Sequence, residues 1–183
     1  IVTGSSLVIN NGITLNAAAT LYEISKDWSN FGVFSPQDST VSLISSEPAI
    51  VRGSNTFNNF KVIVPGKTVK FEDNSTQTIV GTLTLNGSYG NLLIIQSLTP
   101  GVQWEILPQG ETDILYTQIG DCYNARGPPL KAIHSSSLGN LTNFDLDPYW
   151  TGQGLSALWS DPDNWDTGTV PTAFDAVTFD AAN

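Results

Sequence analysis

Short runs of alternating apolar and β-branched residues follow one another along most of this chain. Turn-forming residues end these runs, as at Pro65-Gly66, Asn86-Gly87 and Pro100-Gly101. Alternation places successive side chains on opposite faces of a strand, and Gly, Pro and Asn favour turns, so the pattern predicts an all-β protein with many short strands. The predicted strands are Ser6–Ile9, Thr40–Ile44, Phe60–Val64, Thr68–Phe71, Gln77–Leu85, Leu92–Leu98, Val102–Leu107, Asp113–Ile119 and Ala176–Phe179.

Similarity between two stretches of the chain indicates which all-β architecture the short strands form. The stretch Thr40–Gly53 resembles Thr68–Gly81, because each begins with a Thr-Val strand and reaches Gly after the same number of residues. The offset of 28 residues lies within the range of a solenoid turn. The sequence therefore predicts a parallel β-helix or β-solenoid, in which each strand pairs with the turns above and below it. One stretch, Asn16–Lys26, is a candidate helix, although its run of three Ala also fits a tight turn.

The two ends of the chain resemble the two halves of one motif in its middle. The C-terminal stretch Ala176–Asn183 resembles the first half of Thr68–Gly87, and the N-terminal stretch Ile1–Gly12 resembles the second half. Placing the C-terminus before the N-terminus would rebuild a strand–turn–strand unit. This arrangement predicts a unit that stacks head to tail, either as a repeat in a longer chain or as a separate subunit. A β-sandwich completed by a strand from a neighbouring subunit is an alternative that would use the same split termini.

Composition divides the chain into three parts. Residues 1–119 hold most of the strand signals and are predicted to form the solenoid turns. Residues 120–148 are richer in Gly, Pro and Ser, which predicts an irregular, loop-rich extension. Residues 149–183 place three Trp residues among Gly, Asp, Asn and Pro. This last part is predicted to be an irregular Trp-rich segment whose terminal strand leads into the next unit.

The charge balance excludes several classes of partner. The net charge is −10, and the seven Lys and Arg residues are scattered. Nucleic-acid binding requires a basic surface that neutralises phosphates, and an anionic membrane surface would repel this chain. No apolar run approaches the roughly 18 residues that a transmembrane helix needs. We therefore expect no nucleic-acid partner and no membrane insertion.

Several features are typical of a secreted protein. Only 13% of the residues are charged, and Ser, Thr and Asn supply much of the polarity. The chain has no Met, so we expect that Ile1 is not a translation start and that the chain is processed from a larger product. Cys122 is the single cysteine, and a chain with one Cys and no Met suits an oxidising setting. These features predict an extracellular location.

A set of short motifs points to a known family. The motifs are Tyr149–Gly154, Leu158–Trp165, Gly168–Pro171, Asp175–Phe179, Trp28–Phe34, Asn55–Phe60 and Pro65–Phe71. Together they resemble the repeat units of large bacterial secreted surface and autotransporter-like β-solenoid proteins, cut at a different place. The resemblance implies secretion to the cell surface, a right-handed β-helix or related solenoid, and a structural or adhesive role. Such units usually lie within one very long chain.

One cluster of carboxylates is a candidate metal site. Asp161, Asp163 and Asp166 lie close together in a predicted loop. Calcium takes about six to eight oxygen ligands, often from closely spaced Asp and Asn residues. The alternative is an Asx-turn before Trp165, in which Asp and Asn bond nearby backbone amides. Calcium at these three residues is the one cofactor that the sequence suggests.

Other candidate sites are weaker. Three N-x-S/T sequons, at Asn74, Asn86 and Asn140, lie in predicted turns and are candidate glycosylation sites, although their number is what chance would produce. The chain has one histidine, His134, and no G-x-S-x-G motif, so no nucleophile–base set can be inferred. We therefore predict no catalytic residues and no enzymatic activity.

These observations predict an extracellular structural protein that stacks head to tail with copies of itself into a filament, stalk or surface fibre. The alternative is an adhesin or carbohydrate-binding module of a bacterial cell surface, with glycans as partners and Trp side chains stacked on sugar rings. The residues predicted to join one unit to the next are Ile1, Val2, Leu7, Ile9, Val177, Phe179, Trp150, Trp159 and Trp165.

Overall fold

The computed structural model describes residues 1–165, 168–173 and 177–179 of the chain. In this part the protein is nearly all β, and parallel strands stack into a β-solenoid of about seven turns. The predicted fold class, an all-β parallel solenoid, is confirmed. The strands are β1 (Val2–Gly4), β2 (Leu7–Ile9), β3 (Thr14–Asn16), β4 (Leu21–Ile24), β5 (Trp28–Asn30), β6 (Val33–Ser35), β7 (Thr40–Leu43), β8 (Ala49–Arg52), β9 (Asn55–Phe57), β10 (Asn59–Val62), β11 (Thr68–Phe71), β12 (Thr76–Ile79), β13 (Leu83–Asn86), β14 (Leu93–Ser97), β15 (Trp104–Pro108), β16 (Thr112–Leu115), β17 (Thr117–Asn124), β18 (Leu130–Ile133), β19 (Ser136–Thr142), β20 (Phe144–Asp147), β21 (Tyr149–Trp150) and β22 (Thr178–Phe179).

Successive strands of each turn lie on different faces of the solenoid. The first face is a parallel sheet in the order β1-β4-β7-β10-β13-β16-β18-β20. The second face runs β2-β5-β8-β11-β14-β17, and the third contains β3 and β6 in the first two turns and β9, β12 and β15 in the next three. From the sixth turn, β17 and β19 are long strands that serve both the second and the third face. The turns therefore follow the solenoid axis in chain order.

The parallel register aligns inward side chains into columns. On the first face Tyr22, Val41, Phe60 and Leu83 are successive partners, and each is at most 5% exposed. The residue that follows each of them is polar, so the strands keep the alternation that the sequence shows. Burying such a side chain contributes roughly 1.5–3 kcal/mol, and these columns are the main source of stability for the stack.

A buried lysine ties three turns together at one corner. Lys67 precedes β11 in the fourth turn and is fully buried. Its ammonium donates to the backbone carbonyls of Ser45, at 2.8 Å, and Ser25, at 3.4 Å. A third acceptor is the carbonyl of Glu47. Burial lowers the pKa of Lys67, and the carboxylates of Asp27 and Glu47 oppose that shift. The ammonium therefore satisfies backbone acceptors from the corners of the two preceding turns.

The spacing of the turns differs from the 28-residue offset that the sequence suggested. Thr40 pairs with Asn59, which is 19 residues later. Thr40–Leu43 lies on the first face, whereas Thr68–Phe71 lies on the second. The prediction that these similar stretches are successive turns was wrong. Both are short strands with a Thr-Val start, so their likeness reflects strand chemistry and not their position in the stack.

The stack also continues through most of residues 120–148, where the sequence suggested a loop-rich extension. The strands β17, β18, β19 and β20 pair in parallel with one another or with earlier turns. Gly127–Pro129, part of the signal for a loop, lies at the corner between β17 and β18. The candidate helix at Asn16–Lys26 is likewise absent from the described fold, and a turn at Ala18-Ala19 separates β3 from β4. Gly, Pro and Ala therefore mark corners within the stack.

The Trp-rich segment follows β20 and returns as a parallel strand. Tyr149 of β21 pairs with Thr178 of β22, 29 residues later. The pair β13 and β16 on the first face has the same 29-residue step. The step from β21 to β22 therefore has the length of a solenoid turn, but the two strands form a separate two-stranded sheet. The predicted terminal strand Ala176–Phe179 contains β22, and Ala176 itself lies outside the described residues.

Candidate functional site: the two ends of the solenoid

The N-terminal turn leaves three strands with an open edge. β1, β2 and β3 pair with β4, β5 and β6, and none of the three has a second strand partner among the described residues. Their inward residues Val2, Leu7 and Leu15 face buried aromatic partners in the next turn. Val2 is nevertheless 45% exposed, and Leu7 and Leu15 are half-buried. This end therefore combines unpaired backbone groups with an uncovered apolar core.

The last turns leave a comparable end. β19 pairs with β17, and β20 pairs with β18; the part of the chain that the structure describes provides no further strand for either. Leu141, Phe144 and Leu146 pack against the core but stay half-buried. This end is also charged, because β20 carries Asp145 and Asp147, and Asp147 pairs with Lys131 at 2.9 Å. Asp145 is exposed, whereas Asp147 is 8% exposed and its charge is paired within the chain.

Partial burial of the core is confined to these two ends. Within the described residues, five partly buried apolar side chains pack against the buried core: Leu7, Leu15, Leu141, Phe144 and Leu146. All five belong to the first turn or to the last two strands of the stack, whereas the turns between supply fully buried residues. Inward positions carry the same kind of apolar residue in the end turns and in the middle turns. The difference in burial therefore reflects the lack of a neighbouring turn beyond each end of the described stack. A further turn at either end would bury these side chains.

The terminal residues predicted to join units lie in different environments. Ile1 is 85% exposed, and Val2 and Leu7 lie at the uncovered inward positions. Ile9, in contrast, is 2% exposed and already belongs to the core of its own chain. At the other end Val177 is half-buried, and Phe179 pairs through its backbone with Trp150. Contact of these residues with another copy stays a prediction.

The three predicted Trp residues form one cluster. The ring centroids of Trp150 and Trp165 are 5.1 Å apart, and those of Trp159 and Trp165 are 4.5 Å apart, both edge to face. Trp165 is 2% exposed, and its Nε1 donates to the carbonyl of Trp159 at 2.9 Å. Trp165 is thus the centre of the cluster, whereas Trp159 is 44% exposed. An open groove of about 480 Å³ lies beside Trp150.

The candidate calcium residues are arranged as a capped turn. The Asp161 carboxylate accepts from Ser156 Oγ at 2.8 Å, from Ser156 N at 3.2 Å and from Asp163 N at 3.2 Å. These bonds, with the Ser156 hydroxyl first, lower the pKa of Asp161. Asp163 is exposed, and Asp166 lies outside the described residues. The residues that are described contain no group of three acidic, His or Cys side chains placed to hold a metal. Calcium here stays a prediction.

The Asx-turn alternative included an Asn, but sequence reasoning did not identify it as the residue that organises this loop. Asn164 is fully buried, and its Nδ2 donates to the carbonyls of Ser156, at 2.6 Å, and Leu158, at 3.0 Å. Its Oδ1 accepts from the backbone N of Gly154 at 2.8 Å. The pattern Asp-x-x-Asn before Trp165 was the available signal, but it reads equally well as a set of metal ligands. One amide therefore holds three backbone groups of the loop.

Two of the three sequon side chains have hydrogen-bond partners within the chain. Asn86 Nδ2 donates to Asp113 Oδ2 at 2.7 Å, and Asn140 Nδ2 donates to Asp121 Oδ1 at 2.8 Å. Asn74 is exposed in a turn with φ of 57°. Glycosylation at these three sequons stays a prediction. Cys122 is fully buried, and burial, together with the nearby Glu105 carboxylate, raises the pKa of its thiol well above the ordinary value.

Comparisons with known proteins add no identification. No family model matches the chain, and neither the curated proteins nor the solved structures gave a match. No helix in the described residues is long and apolar enough to cross a membrane. The resemblance to bacterial surface repeats therefore stays an expectation drawn from the motifs.

Proposed function

We propose that this chain is an extracellular structural protein that stacks head to tail with copies of itself into a filament, stalk or surface fibre. The observation that supports this most directly is that, among the described residues, the partly buried side chains of the core lie at the two ends of the stack and not between them. The strands at these ends also have open edges among the described residues. A second copy would continue the same parallel ladder and cover the same apolar columns.

The two ends of the solenoid are different surfaces, which favours growth into an open fibre over closure into a ring. The first turn and the last turns are different surfaces, so their contact is heterologous. A heterologous contact between stacked turns that share one axis repeats without closing, which produces a fibre and not a ring. The secreted location is supported by the low content of charged residues and by the surface-protein motifs.

Light scattering and electron microscopy of the purified chain test this proposal. We expect the mean mass to rise with protein concentration, and fibres to appear with an axial repeat of roughly 40 Å, from eight first-face strands spaced about 4.8 Å apart. Moderate salt should promote growth, because each copy carries a net charge of −10 and salt screens the repulsion. A chain that stays monomeric at all concentrations and forms no fibres would overturn the proposal.

A second candidate function is a glycan-binding module. The groove beside Trp150 favours it, since this groove also includes the backbone of Gly152 and Gly154 and could seat a sugar against an aromatic ring. A glycan array with the isolated chain, next to a Trp150→Ala variant, tests this candidate. Binding that the variant loses, by a protein that does not assemble, would favour the module over the fibre.

A further inference from the structure

Large apolar side chains are more than half exposed at two places in the described part of the chain. One place is the first two turns, and the other is residues 151–160, which we call the Trp loop. The residues are Ile1, Val8, Ile13, Phe31 and Val33 in the first two turns and Leu155 and Leu158 in the Trp loop. In the turns between, the most exposed residue of this kind, Ile63, is 49% exposed. Grouped exposed apolar residues are typical of contact surfaces.

The fold holds the exposed residues of the first two turns in place. Val33 N donates to the carbonyl of Ile13 at 2.9 Å, which fixes the two residues in neighbouring turns. Gly32 lies so close to the preceding turn that a Cβ would be 2.4 Å from the carbonyl oxygen of Asn10. Phe31 and Val33 flank this glycine and are 53% and 55% exposed. We call Val8, Ile13, Phe31 and Val33 the N-terminal patch.

The Trp loop is equally well held. Leu155 lies between Gly154 and Ser156, and the backbone N of each donates to a side chain of the capped turn. The carbonyl of Leu158 accepts from Asn164 Nδ2 at 3.0 Å. Leu155 is fully exposed and Leu158 is 63% exposed although their backbone is anchored. A surface that is ordered before binding loses less entropy when a partner covers it.

Charge also distinguishes these two surfaces from the rest of the chain. Residues 1–22 and 28–37, which contain the whole N-terminal patch, have no charged side chain, and neither do residues 148–160; the first two turns are charged at Glu23, Lys26 and Asp27, outside the patch. The chain as a whole has a net charge of −10, so most other pairs of surfaces bring like charges together. Two uncharged apolar surfaces meet without this repulsion and without the cost of desolvating a charge.

We infer that the Trp loop of one copy packs against the N-terminal patch of the next copy. The inference rests on the proposed stacking and adds a lateral clasp to it. The patch belongs to the first two turns, and the Trp loop begins four residues after β20, the last strand of the first face, so head-to-tail stacking places the two near one junction. The contact uses Leu155, Leu158 and Trp159 on one side and the N-terminal patch on the other.

Paired serine substitutions in the full chain test the clasp. The loop variant is Leu155→Ser with Leu158→Ser, the patch variant is Phe31→Ser with Val33→Ser, and the control is Ile63→Ser with Val80→Ser, at residues that are 49% and 47% exposed. Sedimentation velocity should show assembly weakened roughly tenfold or more in the loop and patch variants, as expected for truncated interface residues, and little changed in the control. Thermal unfolding of all three should stay close to wild type because the side chains are exposed.

Mixing the two defective variants provides the sharper test. The intact Trp loop of the patch variant can bind the intact patch of the loop variant, so a mixture should form 1:1 pairs that neither variant forms alone at that concentration. A contact between two Trp loops would not be restored by mixing. Recovery of pairs in the mixture supports the clasp, and a mixture that behaves as the sum of its components contradicts it.

A glycine substitution tests whether the Trp loop must be held in its present conformation, and not only whether its apolar residues are present. Gly154→Ala changes none of the exposed apolar residues. Its Cβ would lie 2.7 Å from Asn164 Oδ1 and 2.8 Å from Asp161 Oδ2, so the loop must shift. We expect weaker assembly without a change in the melting of the solenoid. If the wild type assembles and all of these variants assemble equally well, the clasp is wrong while stacking stands. If the wild type itself never assembles, the proposed function fails.

Discussion

The middle turns and the end turns are built from the same alternating strands but differ in burial. In the middle of the stack Phe57 and Val69 are fully buried between neighbouring turns. In the first turn Val2 is 45% exposed, and Leu7 and Leu15 are half-buried at equivalent inward positions. Alternation thus decides which side chains point inward, and position in the stack decides whether they are covered. The ends keep a core pattern without a neighbour to complete it.

Removing a middle core side chain should have the largest effect on stability. Phe57→Ala opens a cavity between turns where the ring is fully buried, at a cost of about 3–5 kcal/mol in the free energy of unfolding. Thr56→Ala, at an exposed position of the same strand, should change it by less than about 0.5 kcal/mol. Urea unfolding followed by circular dichroism measures both. Equal losses would mean that the middle turns do not carry the stability.

Replacing the buried lysine should have the next largest effect. Lys67→Met leaves carbonyls of Ser45 and Glu47 without their donor at a buried corner, which we expect to cost about 2–3 kcal/mol. Lys61→Met, on the half-buried surface of the first face, serves as the control. A variant as stable as wild type would show that water replaces the ammonium at this corner.

The lowered pKa of Lys67 predicts how the free energy of unfolding changes at alkaline pH. Burial lowers the pKa of Lys67 from 10.5, so the folded chain releases this proton before the unfolded chain does. Between the two pKa values the unfolded state binds more protons, and the contribution of Lys67 to stability therefore rises with pH. The difference in unfolding free energy between wild type and Lys67→Met should widen as pH approaches 10.5. A difference that narrows in urea titrations at several pH values would contradict this.

Truncating a core side chain at the end should cost the monomer less. Leu15→Ala removes a half-buried side chain, for which we expect roughly 1–2 kcal/mol, while Leu43→Ala in the third turn should cost more because Leu43 is fully buried. The order should reverse for assembly, since Leu15 belongs to the open end. Unfolding in dilute solution and sedimentation at higher concentration measure the two effects. If Leu15→Ala leaves assembly intact, the first turn is not part of the junction.

Acid should act weakly and locally, on the Trp loop. Hydrogen bonds from Ser156 and Asp163 lower the pKa of Asp161 below its ordinary value of 3.8. The stability that they supply is therefore fully present above pH 3.8 and is lost as pH falls through the lowered folded pKa. Tryptophan fluorescence should report a transition in this range, because Trp165 bonds to the same loop. Asp161→Asn should remove the transition, and its persistence would assign the change to other carboxylates.

Strand positions were largely predictable because alternation and turn residues are local signals. The prediction Thr68–Phe71 coincides with β11, and Leu92–Leu98 contains β14. The length of a turn was not predictable, because the step between paired residues varies from 14, between Leu130 and Phe144, to 29. The differences in turn length lie in the corners between strands and leave the strands unchanged, so the local strand pattern does not reveal them.

The candidate site was predictable only in part. The split motif drew attention to the termini, and Val2 and Leu7 do lie at an uncovered end. Ile9, which the split motif also included, and Trp165, which the Trp-rich segment suggested, are buried within their own chain. The role of Lys67 depends on carbonyls up to 42 residues away, which no local pattern reveals. The burial and the hydrogen-bond partners of these residues depend on contacts between residues far apart in the sequence, and the alternation of apolar and polar residues does not show these contacts.

Hydrogen exchange of the wild type at two concentrations shows whether stacking completes the open ends of the solenoid. On going from monomer to assembly, amides of Val2–Gly4, Leu7–Ile9 and Ser136–Thr142 should exchange more slowly, while those of the middle strand Thr68–Phe71 should not change. Assembly that protects the middle strands and leaves the end strands unprotected would contradict the account.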